Sequence, residues 1–184
     1  MSNLSAIAKW PDVPACYEWL SLDQRGAWRL QGERVTHHGL NEFLNKNYAS
    51  DDSGCWFVQN GPQRVYVDLD CTPWIFRIDS GVTFTSHTGH AAGKLKAIYL
   101  DSDGRLFLDT ELGIGLLDDR DLSQVWEQCI DAHGQPADEA CFHQLLSGAA
   151  PGVFLGGVSI KFLGSTEPAK HFAFIKQPRL MKSA

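Results

Sequence analysis

"DQRGAWRL", residues 23–30, joins an Asp, a Gly three positions on and an apolar alternation, and the pattern returns as "DDSGCWFV" at residues 51–58 and "DSDGRLFL" at residues 101–108. An Asp side chain bonds backbone just ahead of it, and Gly takes the positive φ a tight turn needs. The alternation that follows puts one strand face into a core. Each copy is therefore expected to open a strand. The first and third are also followed by comparable amphipathic stretches, "LNEFLNKNY" from Leu40 and "LSQVWEQCI" from Leu122, the turns lying 78 residues apart and the stretches 82. That spacing predicts one unit used twice.

Around these turns the apolar spacing assigns the remaining elements. Leu122, Val125, Trp126, Cys129 and Ile130 fall at i, i+3, i+4, i+7 and i+8 behind Asp118 and Asp119, which predicts a helix with one buried face. Leu40, Phe43 and Leu44 predict a shorter one, with His37 and His38 as surface or capping residues. Cys141, Phe142, Leu145 and Leu146 predict another that stops at Gly148, and Tyr17, Trp19 and Leu20 predict an N-terminal helix. Strands are expected over 28–30, 55–59, 65–69, 74–78, 82–85, 95–100, 105–109, 158–163 and 172–176. Strands outnumber helices and no strand–helix–strand alternation is sustained, so the class is α+β with mostly antiparallel strands. Two related subdomains are expected, 1–85 and 86–184, with the seam in the Gly-, Ser- and Thr-rich stretch 79–93.

The totals narrow the function classes. A chain of 184 residues, 43% hydrophobic and 21% charged, can bury a real core. Its net charge of −6 argues against general nucleic-acid binding, which draws its affinity from Lys and Arg on phosphates. The N-terminus shows no charged and apolar leader, and the longest uncharged stretch, 140–160, is interrupted by Pro151 and several glycines. A cytoplasmic location without membrane partners is therefore expected. Five cysteines with no Cys-x-x-Cys pair read as free thiols.

The motifs resemble those of a bacterial family of unknown function whose members carry a duplicated α+β unit. The matching positions are Asp23, Gly26 and Trp28, then Leu40 to Leu44, Gly54 and Trp56, then Asp68, Asp70, Pro73 and Trp74, with "SHTG" and "DGRLFL" following. The resemblance implies two related subdomains, the C-terminal one superficially like a pleckstrin-homology barrel. It also implies a nucleotide-like ligand at the interface between halves and a role in signalling. The chain departs from the pattern at "GPQR", residues 61–64, and beyond Gln135.

The candidate chemistry lies along "RVYVDLD", residues 64–70, where Val65, Val67 and Leu69 alternate with Tyr66, Asp68 and Asp70. Two carboxylates and a phenol thus share the face opposite the core. Arg64 precedes them, where a guanidinium can clamp an anion bidentately, Trp74 offers an aromatic surface, and His87 lies in a loop that also carries His90 and suits a negative charge. The expected site is Arg64, Asp68, Asp70, Trp74 and His87, holding a small anionic or nucleotide-like ligand. No catalytic residues, metal or cofactor are assigned: "DSDG" at 101–104 lacks later calcium ligands, and "LGIGLLDD" at 112–119 lacks a third dinucleotide glycine. Two other classes compete. One is a protein-interaction module using strand edges and the contrast between an acidic stretch, 101–139, and a basic one, 140–184. The other is a hydrolase built on the Asp pair and His87.

Overall fold

The computed structural model describes residues 10–149 and 152–179. These divide into two compact units, one from the residues up to Pro73 together with those from Ala169 onward, the other spanning Trp74–Pro168. The class is α+β: a six-stranded and an eight-stranded mixed sheet, mostly antiparallel, with four short helices among the described residues.

The first unit runs β1 (Ala15–Leu22), β2 (Trp28–Leu30), β3 (Glu33–Arg34), α1 (His38–Lys46), β4 (Tyr48–Ser50), β5 (Trp56–Asn60) and β6 (Gln63–Leu69), in the sheet order β3-β2-β1-β6-β5-β4. Alternation sends Leu20, Leu22, Trp28, Val58, Val65, Val67 and Leu69 into the core. Trp28 Nε1 donates to Asn45 Oδ1 at 2.7 Å, which ties α1 to the strand residue, and Leu40 and Leu44 of α1 are buried. His37 caps α1, its Nδ1 accepting from Leu40 N at 3.1 Å.

The second unit continues with β7 (Trp74–Ile78), β8 (Phe84–Ser86), β9 (Leu95–Asp101), β10 (Leu106–Thr110) and β11 (Ile114–Leu117). A 3-10 turn (Asp119–Asp121) and α2 (Leu122–Trp126) lead to β12 (Ile130–Asp131), α3 (Glu139–Leu146), β13 (Val153–Leu155) and β14 (Val158–Gly164); α4 (Pro168–His171) starts at the last residue of this unit and otherwise belongs to the first. Its sheet order is β12-β13-β14-β9-β10-β11-β7-β8. The duplication is visible in the topology. Setting aside β7, β8 and α3, each unit is a β-meander, a helix and a second antiparallel set, closed by a parallel pairing of first strand with last: β1 with β6, β9 with β14.

The Asp-x-x-Gly turns carry the repeat down to single hydrogen bonds. Asp23 Oδ1 accepts from the N–H groups two and four residues on, and so do Asp51, Asp101 and Asp131. The fourth copy, "DAHG" at 131–134, follows β12 as "DDSG" follows β4, but it turns back to an isolated Ile130–Pro136 bridge and then leads into α3. The sequence reading passed over it because a Pro and a helix, not an alternating strand, follow it.

Several expected elements are corrected. Tyr17, Trp19 and Leu20 lie on β1, not on a helix. A register irregularity between Cys16 and Leu20 sets Tyr17, Glu18 and Trp19 against Tyr66 alone, two residues more than regular pairing needs, so two buried residues four apart imitate a helical spacing. The Leu122 helix ends at Trp126: Cys129 stays buried in the turn that follows, and Ile130 already belongs to β12. Residues 172–176 form no strand, although Ile175 N donates to Gly54 O at 2.9 Å and Lys176 O accepts from Leu69 N at 2.7 Å. No helix among the described residues is long and apolar enough to cross a membrane.

Candidate functional site

The outward face of β6 carries two of the candidate side chains, Arg64 and Asp68. Arg64, Tyr66 and Asp68 are successive outward positions, and their cross-strand neighbours on β5 are Gln59 opposite Arg64 and Phe57 opposite Tyr66. The Tyr66 ring stacks on Tyr17 of β1 with centroids 4.6 Å apart and planes within 2°, and it lies 5.9 Å from the Phe57 ring. The exposed Arg64 guanidinium sits over Phe57, 4.5 Å from its centroid. No carboxylate among the described residues lies within ion-pairing distance of Arg64. A guanidinium resting on an aromatic face keeps its in-plane donors available for an anion.

The electrostatics of this face follow from its packing. Burial raises the Tyr17 phenol, and the neighbouring Tyr66 raises it further, so Tyr17 stays neutral at ordinary pH. Burial also pushes the Asp51 carboxyl up, but Ser53, the Cys55 amide and the Arg64 charge together bring it below its ordinary value. Asp68 is engaged: Arg179, from the C-terminal segment, donates to it at 2.8 Å and contacts Glu18 at 3.1 Å. Asp70 lies just past β6, its N–H bonded to Leu22 O. Desolvation and then the Asp23 charge raise its carboxyl, against Arg29 and Lys176.

The remaining candidates belong to the second unit. Trp74 opens β7 and is 7% exposed, its ring 5.8 Å from the His87 imidazole. His87 fastens its loop to β7 twice, accepting from Ile75 N at Nδ1 (3.3 Å) and donating its own N–H to Ile75 O (2.8 Å). The structure thus joins Arg64 with Asp68 on one strand face of the first unit and Trp74 with His87 in the second. Tyr17, Glu18, Phe57 and Arg179 were missed by sequence reading. Tyr17 and Glu18 were hidden by the helical reading of β1, and Arg179 lies 111 residues from its partner Asp68.

Comparison with known proteins places the chain. The model of a family described as protein of unknown function (DUF2946) matches residues 2–179. The chain belongs to that family. Among solved structures, this DUF2946 chain is similar to a DUF1285 family protein from Silicibacter pomeroyi DSS-3, at 13% identity and a TM-score of 0.56, covering 88% of this chain and 94% of that one. A DUF1285 family protein from Shewanella baltica OS155 matches at 14% identity and a TM-score of 0.45, covering 58% of this chain and 88% of that one. The first likeness shows the fold. No curated protein matches the chain.

Within the fold, the duplication supplies its own control. Both hairpins turn on two residues, Asn60 pairing with Gln63 and Leu155 with Val158, so Arg64, Val65 and Tyr66 correspond to Ser159, Ile160 and Lys161. The middle, core-facing position is a fully buried aliphatic in both copies. The outward positions differ in chemistry, and the guanidinium and tyrosine stack belong to the first unit alone.

Proposed function

We propose that this protein is a non-catalytic binder of a small anionic ligand that carries a planar ring, as a nucleotide does, and that it acts as a sensor or regulator. The observation that carries the reading is Arg64: an exposed guanidinium set on Phe57, beside the Tyr17–Tyr66 stack, with no internal carboxylate engaging it among the described residues. The nearest carboxylate on the same face of β6, Asp68, lies four residues along the strand from Arg64 and is taken by Arg179. A bidentate grip by Arg64 on a phosphate or carboxylate, with a ring laid against the aromatic cluster, uses the groups this face presents.

The test is a thermal-shift screen of the full chain against nucleotides, sugar phosphates and carboxylates. A ligand at 100 times its dissociation constant stabilises the protein by about 2.7 kcal/mol. The expected result is a shift with a ring-bearing anion that Arg64→Gln removes while leaving the unliganded unfolding midpoint in place. A shift that persists in Arg64→Gln, or none with any compound, overturns the reading.

A further inference from the structure

The same sheet face carries a second arrangement that the anion reading leaves unused. Arg179 spends all three guanidinium nitrogens on two carboxylates: Nε meets Glu18 at 3.1 Å, while Nη1 and Nη2 meet Asp68 at 2.8 and 3.4 Å. Glu18 reaches this position from a left-handed backbone, φ 66°, inside the β1 irregularity. For a residue other than Gly such a conformation costs roughly 1–2 kcal/mol. In the second unit the parallel pairing shifts register on the last strand, between Phe162 and Gly164, and the positive φ there falls on Gly164 (68°), where it is nearly free. Strain therefore sits in the copy that holds a carboxylate out to receive a cation.

The segment that brings Arg179 is held by side chains and isolated backbone bonds, not by strand pairing. Residues 172–179 form no strand and turn through Ala173 at φ 56°. They anchor on buried Phe174 and Pro178, and their backbone bonds run from Phe174 N to Ala169 O, from Ile175 N to Gly54 O in the β4–β5 turn, and from Leu69 N of β6 to Lys176 O. A basic segment that sets its arginine between two acids on the central strands, beside stacked tyrosines, offers a template for how a bound peptide would engage this surface.

We infer that Glu18 and Asp68 form a docking site for an arginine of an extended basic peptide in a partner protein, and that Arg179 occupies the site in cis as an internal competitor. Because the tail is tethered, its local concentration is high, and a partner must displace it. The charge complementarity is specific to a guanidinium, whose planar fork serves two carboxylates at once; a lysine supplies one point charge.

The experiment uses the full chain and a synthetic peptide of residues 172–179, "FAFIKQPR", labelled for fluorescence anisotropy. Arg179→Gln empties the site, so the peptide is expected to bind this variant at least about tenfold more tightly than the unaltered chain. A peptide with Gln in place of its arginine is expected not to bind, and Asp68→Asn or Glu18→Gln added to Arg179→Gln is expected to remove binding. Circular dichroism and an unchanged unfolding midpoint certify the fold of each variant, and the paired acid variants keep the test decisive if one fails to fold. Equal affinity for the unaltered chain and Arg179→Gln, or binding indifferent to both acids, overturns the inference. None of these outcomes involves Arg64, so the anion-binding reading stands or falls separately.

Discussion

Asp121 accepts both Nε and Nη2 of Arg77, at 2.6 and 2.8 Å, and also the backbone N–H of Ile78 at 3.0 Å, with its side chain only 7% exposed. Three donors on one carboxylate pin the 3-10 turn before α2 to strand β7. The Arg77 bond, ahead of the opposing desolvation, holds the Asp121 carboxyl below its ordinary value. A folded-state value below the unfolded one stabilises the fold above about pH 4 and loses that contribution as pH falls through the folded value. Unfolding midpoints measured from pH 6 down to pH 2 are expected to drop more steeply for the natural chain than for Asp121→Asn. At neutral pH that variant is expected to be less stable by about 2 kcal/mol, since hydrogen bonds to a buried charge are lost. Parallel pH curves for the two proteins contradict this assignment.

Gly54 and Gly134 close equivalent turns with nearly the same backbone, φ 82° and 77°, but a Cβ on Gly54 would meet Ala173 O at 2.8 Å while one on Gly134 meets nothing within 4 Å. Gly134→Ala is expected to destabilise by about 1 kcal/mol from the left-handed backbone alone. Gly54→Ala adds a clash with the C-terminal segment, and roughly 2–3 kcal/mol is expected from chemical denaturation. Limited proteolysis near residue 173 should quicken for Gly54→Ala only.

Burial pushes the Cys129 thiol up to about 12, and its Sγ lies 3.4 Å from Val125 O within the core. The thiolate is the reactive form, so on the order of one molecule in ten thousand carries it at pH 8. Mass-resolved alkylation of the native protein at that pH is expected to leave Cys129 unlabelled until denaturant is added, whereas the half-buried Cys55 reacts first. Rapid native labelling of Cys129 would place it outside the core.

At Glu18 the left-handed backbone makes side-chain shape decisive. Glu18→Gly relieves the strain, and Glu18→Val deepens it, because a β-branched residue is the worst occupant of positive φ. Denaturant midpoints are expected to rank Gly above Val by about 2 kcal/mol. The reverse order would mean that β1 runs regularly through this position.

Local rules made the repeat legible. Asp-x-x-Gly specifies its turn through bonds two and four residues away, and the alternation on β6 assigns Val65, Val67 and Leu69 inward and Arg64, Tyr66 and Asp68 outward without reference to anything distant. The α+β class and the duplication therefore follow from the chain itself. What tertiary structure decided is every feature joining residues far apart in sequence. Closing each unit by a parallel pair sets Cys16 beside Val65 and Ile98 beside Ile160, and the resulting irregularity turned an apparent helix at Tyr17 into a strand. The tyrosine stack and the Arg179 bridge exist only after those strands meet. Hydrogen-bond geometry within a turn is encoded at short range, whereas the partner of an outward-facing charge is chosen by which distant segment the buried face draws alongside.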